Sequence, residues 1–127
     1  MSKWLEGEKK SGLAPTGPQI KKDPMYMLLR EGKIQDFNKL RSMGKACDLT
    51  NCDFRGMDLQ GMIATGLDFS GSYFRLADLR GIDFTKAIME GCSVHEAKIS
   101  GAYFPKELSS DEITMSLIRG TRMRYGC

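Results

Sequence analysis

The feature that most constrains this chain is a five-residue period. Read in fives from Cys47, the sequence gives CDLTN, CDFRG, MDLQG, MIATG, LDFSG, SYFRL, ADLRG, IDFTK, AIMEG, CSVHE, AKISG and AYFPK, ending at Lys106. The twelve units contain no insertion. Neither regular structure has this period. Five residues carry a helix about 140° past a full turn and leave a strand facing its opposite side. The third positions are Leu49, Phe54, Leu59, Ala64, Phe69, Phe74, Leu79, Phe84, Met89, Val94, Ile99 and Phe104, all apolar. At 41% apolar content, chance produces such a column on the order of once in ten thousand trials over five registers.

First and third positions lie two residues apart, so a short extended piece points both to one side and the second position to the other. The first positions are small or apolar throughout, from Cys47 and Cys52 to Ala97 and Ala102. To keep each pair facing inward, the chain must turn once per unit, and glycine closes seven of the twelve units. The expected fold is a β-solenoid whose core is its own axis.

These residues resemble the pentapeptide-repeat family, whose motif is a small residue, Asp or Asn, Leu or Phe, then two variable positions. The resemblance covers residues 47–106 and implies a right-handed quadrilateral β-helix with four units per coil, hence about three coils. Departures from the motif occur at Met62-Ile63-Ala64, Ser72-Tyr73, Ala87-Ile88, Cys92-Ser93 and Ala97-Lys98. Met62, a flexible gap-filler, is expected to compensate for the small Ala64 in its own unit.

A solenoid has open ends, and short α-helices are expected to cap both. Residues 23–46 read as a helical N-terminal cap: Asp23-Pro24 starts a helix, a break falls near Gly32, and Gly44 ends the second helix. Met27, Leu28, Ile34, Phe37 and Leu40 are its expected buried side. Residues 107–127 read as a C-terminal helical cap and tail. Ser109 and Glu112 there form a capping box, Gly120 is the stop, and Ile113, Leu117 and Ile118 are the expected cover. The flanks are similar to those of some small bacterial family members. Residues 1–22 carry five lysines and two glutamates among glycines and prolines, and read as a flexible basic arm with Trp4 and Leu5 as docking anchors.

Charge is uneven along the chain. Residues 1–46 hold ten Lys/Arg against five Asp/Glu, and residues 47–106 hold six against eight, so the basic excess lies outside the repeats. With no long apolar run and no signal-peptide core at the N-terminus, a cytoplasmic protein without membrane insertion is expected. His95 and Ser93 fall on one outward side with no pocket implied, and no phosphate-binding fingerprint occurs, so an enzyme is not expected. Cys52, Ser72 and Cys92 share one inward column. Two levels apart, about 10 Å, the two thiols are too far for a disulfide, and Cys47 occupies another side, so no metal set forms. No cofactor is expected, and Cys127 is expected to be a free tail thiol.

The leading function is therefore a non-enzymatic protein–protein interaction or scaffold module with an unidentified protein partner. Its alternatives are DNA mimicry against a topoisomerase, which the similar family implies for longer acidic members, and weak nucleic-acid binding through the N-terminal arm. A repeat charge of −2 makes the first weak, and the absence of interleaved aromatics makes nucleic acid an unlikely partner. Residues twenty apart stack in a four-unit coil, so Arg55, Arg75 and His95 form one outward column. Tyr73 joins them as the candidate partner-binding stripe, because Arg and Tyr are favoured at interface hot spots. Oligomeric state is left open by the residues.

Overall fold

A computed structural model describes residues 17–126. Parallel bridges join Asp53 to Tyr73, Tyr73 to Ser93, Asp58 to Asp78, Asp78 to Lys98, Asp68 to Ile88 and Asp83 to Tyr103. Each pair is twenty residues apart, so four pentads complete one coil and residues 47–106 stack as three. Among the described residues the rungs are isolated bridges, not named strands. The reason is local: a corner in every pentad leaves two or three extended residues per side.

The corners have two causes. The fifth position takes a left-handed backbone in every pentad but those ending at Lys86 and Lys106: glycine does so freely, as at Gly56 and Gly81, while Asn51, Leu76 and Glu96 do so with φ of 52°, 62° and 56°. The second-position aspartates clip the corner. Asp48, Asp53, Asp58, Asp68, Asp78 and Asp83 each accept, through Oδ1, the N–H two residues on.

Inside, the third-position column is buried from Leu49 to Val94 and only half-buried at Ile99 and Phe104, where no further coil overlies it. Phe54 and Phe74 stack with centroids 4.9 Å apart and planes at 4°, and Phe69 meets Phe54, Phe74 and Phe84 edge-on. Met62 and Ala64 are both buried, as compensation requires. The first-position column carries its own hydrogen bonds. Ser72 Oγ donates to Leu49 O at 2.7 Å and accepts from Cys52 N at 3.0 Å, and the Cys92 thiol donates to Phe69 O at 3.0 Å. Small residues suit positions 72 and 92 because their side chains reach the main chain of the coil below.

Helix α1 spans Pro24–Arg30 and α2 spans Ile34–Ser42. The Asp23 carboxylate accepts from Met25 N and Tyr26 N, capping α1, and its other oxygen accepts from Asp48 N, tying the helix to the first coil. The buried face differs from the expected one: Met25, Tyr26 and Leu29 are buried, whereas Met27, Leu28 and Leu40 are half-buried against the core. Ile34 and Phe37 lie inside as expected. The Tyr26 ring meets Phe54 edge-on at 5.4 Å, and its hydroxyl donates to Asp53 O. Asn38 docks α2 by donating to Gly61 O and accepting from Ile63 N.

Gln19 pairs with the lower edge of the first coil, donating to Asn51 O at 2.8 Å and accepting from Asp53 N at 2.9 Å. Lys21 meets the Asp48 carboxylate at 2.9 Å. The arm expected over residues 1–22 therefore overlaps the folded part.

Helix α3 spans Ser110–Arg119, with Ser109 Oγ accepting from Glu112 N and Gly120 closing it at φ 76°. The Glu112 carboxylate turns away from a reciprocal capping bond and accepts from Arg124 N instead. Ile118, expected inside, is 67% exposed; Ser116, Leu108 and Met123 are buried in its stead, with Ile113 and Leu117 half-buried. After Gly120 the chain runs back over the last coil. Met123 N donates to Cys92 O, Gly91 N donates to Met123 O, and Met89 N donates to the Tyr125 hydroxyl.

Candidate interaction surface

The bridges through Asp53, Tyr73 and Ser93 place Arg55, Arg75 and His95 one above another, and the bonds Gly56 N to Arg75 O and Leu76 N to His95 O keep them in line. The structure thus brings these four side chains, Tyr73 included, onto one side of the coil stack. Trp4 and Leu5 lie outside the described residues.

The stripe is not an open face at every level. Tyr73, expected exposed, is half-buried between two guanidinium groups, with Arg75 4.3 Å and Arg122 5.0 Å from the ring centroid. Arg75 donates from Nε to Ser93 Oγ at 3.1 Å and from Nη2 to Gly120 O at 3.1 Å. Arg122 donates from Nη1 to Gly71 O at 3.4 Å and Gly91 O at 3.3 Å. The chain's own C-terminal segment is therefore the occupant of the upper stripe. Sequence reasoning missed Arg122, because nothing in the pentad pattern says where a tail fifty residues downstream returns.

Ser93, expected on the outside, is fully buried under this segment, and its hydroxyl also reaches Gly120 O at 3.3 Å. His95 is half-buried. Its Nδ1 lies 3.2 Å from Leu117 O, a contact that the tautomer with a proton on Nδ1 makes a hydrogen bond, and Nε2 stands 3.8 Å from the Glu96 carboxylate. Ser93 and His95 are thus bonded to different main-chain carbonyls. Arg55, one level below Arg75, keeps 60% of its side chain exposed and, among the described residues, pairs with Asp53 at 3.5 Å.

The cysteines are placed for packing. Cys52 and Cys92 are fully buried, and burial pushes both thiols up to about 12, while Cys47 is half-buried and raised in the same direction for the same reason. A protonated thiol is neither a nucleophile nor a metal ligand. Among the described residues no group of three or more His, Cys, Asp or Glu is arranged so that it could hold a metal ion. Also among the described residues, no helix is long and apolar enough to cross a membrane. Cys127 lies outside them.

A stack of coils with inward columns and a charged side defines a repeat-protein module. Comparison with protein families gives the same class: the model of pentapeptide repeats matches residues 45–81 and 68–104 with eight copies. These residues of the chain belong to the pentapeptide-repeat family. The searches of curated proteins and of solved structures gave no match.

Proposed function

We propose that the coil stack is a right-handed quadrilateral β-helix that serves as a protein-interaction module without chemistry of its own, and that the Arg55 side of it receives an acidic partner. One observation carries this reading. The cationic groups of this side are held in fixed places before any partner arrives, Arg75 and Arg122 by hydrogen bonds and the Tyr73 ring, with Arg55 exposed beside them. Preorganised charge avoids the cost of ordering long side chains on binding, and Arg is favoured at interfaces.

The test is capture of partners from the native cell on full-length protein and on Arg55→Glu. Arg55 is the right position to reverse because Arg75 also anchors Gly120, so its reversal would disturb the fold as well. Loss of the captured protein with an unchanged melting curve supports the reading, and capture that survives the reversal overturns it. A second version lacking residues 1–16 asks whether Trp4 and Leu5 contribute, while keeping Gln19 on the coil edge.

A further inference from the structure

The last coil is closed on two of its four sides and open on the other two. Over the pentads 87–91 and 92–96, the outward N–H groups of Met89, Gly91, Val94 and Glu96 donate to Tyr125 Oη, Met123 O, Ser116 Oγ and Leu117 O at 2.7–3.1 Å. The pentads 97–101 and 102–106 lack such a cover. One coil below, Leu79, Gly81 and Phe84 donate to Lys98, Ser100 and Tyr103 carbonyls at 2.8–3.0 Å, and the Ala77 and Ile82 carbonyls accept from Lys98 and Tyr103. Their counterparts in the last coil, the N–H groups of Ile99, Gly101 and Phe104 and the carbonyls of Ala97 and Ala102, have no partner among the described residues. Ala77, Leu79, Ile82 and Phe84 are buried, while Ala97, Ile99, Ala102 and Phe104 are partly exposed.

An unpaired row of donors and acceptors on a parallel edge is a template for one more extended segment. This chain closes two other stretches of edge in that way. Gln19 adds to the first coil, and the segment around Met123 adds to the last.

We propose that the open edge of pentads 97–106 takes an acidic, extended segment of a partner protein as an added strand. This deepens the interaction-module reading above and rests on it. The chemistry of the occupant is set by the surroundings. Lys86, Lys98 and Lys106 are exposed here with Arg80, against Glu107 and, one coil below, Asp78 and Asp83; Asp78 is already paired with Arg80, and the remaining positive balance favours acidic side chains. Thr85, Lys86, Phe104, Lys106 and Glu107 line a cleft of about 330 Å³, which takes one apolar side chain against Phe104, and Tyr103, 64% exposed, flanks it. A second copy of the chain is the poorer occupant, because edge-to-edge pairing would bring its Lys98 and Lys106 against the same lysines.

The experiment uses the full chain labelled with nitrogen-15 and titrated with acetyl-Glu-Val-Phe-Val-Glu-amide to on the order of 1 mM, where single-strand addition is expected to register. The amide signals of Ile99, Gly101 and Phe104 should move together. A peptide of the same sequence with N-methylated main-chain nitrogens, and the variant Lys86→Glu with Lys106→Glu, should each weaken the effect by about tenfold or more. Arg55→Glu should leave it unchanged, so the fate of the basic stripe is read separately. The proposal is overturned if those three amides do not shift, if the methylated peptide binds equally well, if the shifts centre on Arg55, or if the same amides shift with protein concentration in the absence of peptide.

Discussion

The two ends of the coil stack are closed by different balances of apolar and polar contact. At the N-terminal end, α1 and α2 bury Met25, Tyr26, Leu29 and Phe37, so the apolar core continues into the cap. At the C-terminal end, the residue of α3 that is fully buried is Ser116, and the hydroxyl and carbonyls of residues 116–125 meet the coil's main-chain donors. The contrast separates two problems that every open coil poses: covering the hydrophobic column and satisfying the backbone edge. Apolar side chains solve the first, and only polar groups at fixed positions solve the second.

The sharpest way to break the comparison is at the first end. Tyr26→Ala removes a fully buried ring packed on Phe54 and should cost about 3–5 kcal/mol in chemical denaturation. A loss under one kcal/mol, on the order of a surface substitution, would show that the cap does not continue the core. At the opposite end, Ser116→Ala keeps the helix but leaves the Val94 N–H without its acceptor, and should cost about 1–3 kcal/mol. If the N-terminal change proves the cheaper one, the assignment of the larger apolar share of closure to the N-terminal end is wrong.

A smaller contrast lies within the basic stripe. Arg75→Ala loses bonds to Ser93 and Gly120 and its stacking on Tyr73, and should cost about 1–2 kcal/mol. Arg55→Ala gives up only an exposed pair with Asp53 and should stay within about 0.5 kcal/mol. Equal melting shifts for the two variants would deny Arg75 its role in holding the C-terminal segment.

The smallest effect is in acid. Hydrogen bonds from Thr50 and then Lys21 hold the Asp48 carboxyl down at about 2. A carboxyl depressed in the folded state contributes stability above its ordinary range, and that contribution is lost as pH falls toward the depressed value. Asp48 is exposed, so solvent screening keeps the effect well below 1 kcal/mol. Denaturation midpoints of Asp48→Asn should therefore decline slightly less than those of the parent between about pH 4 and about pH 2. Identical slopes would remove Asp48 from the account of the N-terminal edge.

Much of the stack was legible because its constraint is local. A third position that is always apolar, a small first position and a turn-former at the fifth describe a side and a corner within one pentad, so each unit repeats the instruction. The helix boundaries near Asp23, Ser109 and Gly120 were legible for the same reason, since caps are satisfied within four residues.

The buried face of each cap was not. In α1 the residues Met25, Tyr26, Met27, Leu28 and Leu29 are all apolar, so no period selects a side; docking on the coil, with Tyr26 against Phe54, buried Met25, Tyr26 and Leu29. In α3 the apolar Ile118 points out because the coil edge there needs a hydrogen-bond acceptor close to the main chain, which a serine supplies and an isoleucine cannot.

The sequence by itself determined the pentads, their inward columns and the positions where helices begin and end, because those follow from contacts a few residues apart. Only the tertiary structure decided that the Tyr73 and Arg75 levels are occupied by Gly120 and Arg122, that Ser93 is buried, and that pentads 97–106 keep an open edge. These depend on where a tail lands after three coils. A one-dimensional period does not record which of four equivalent sides that is.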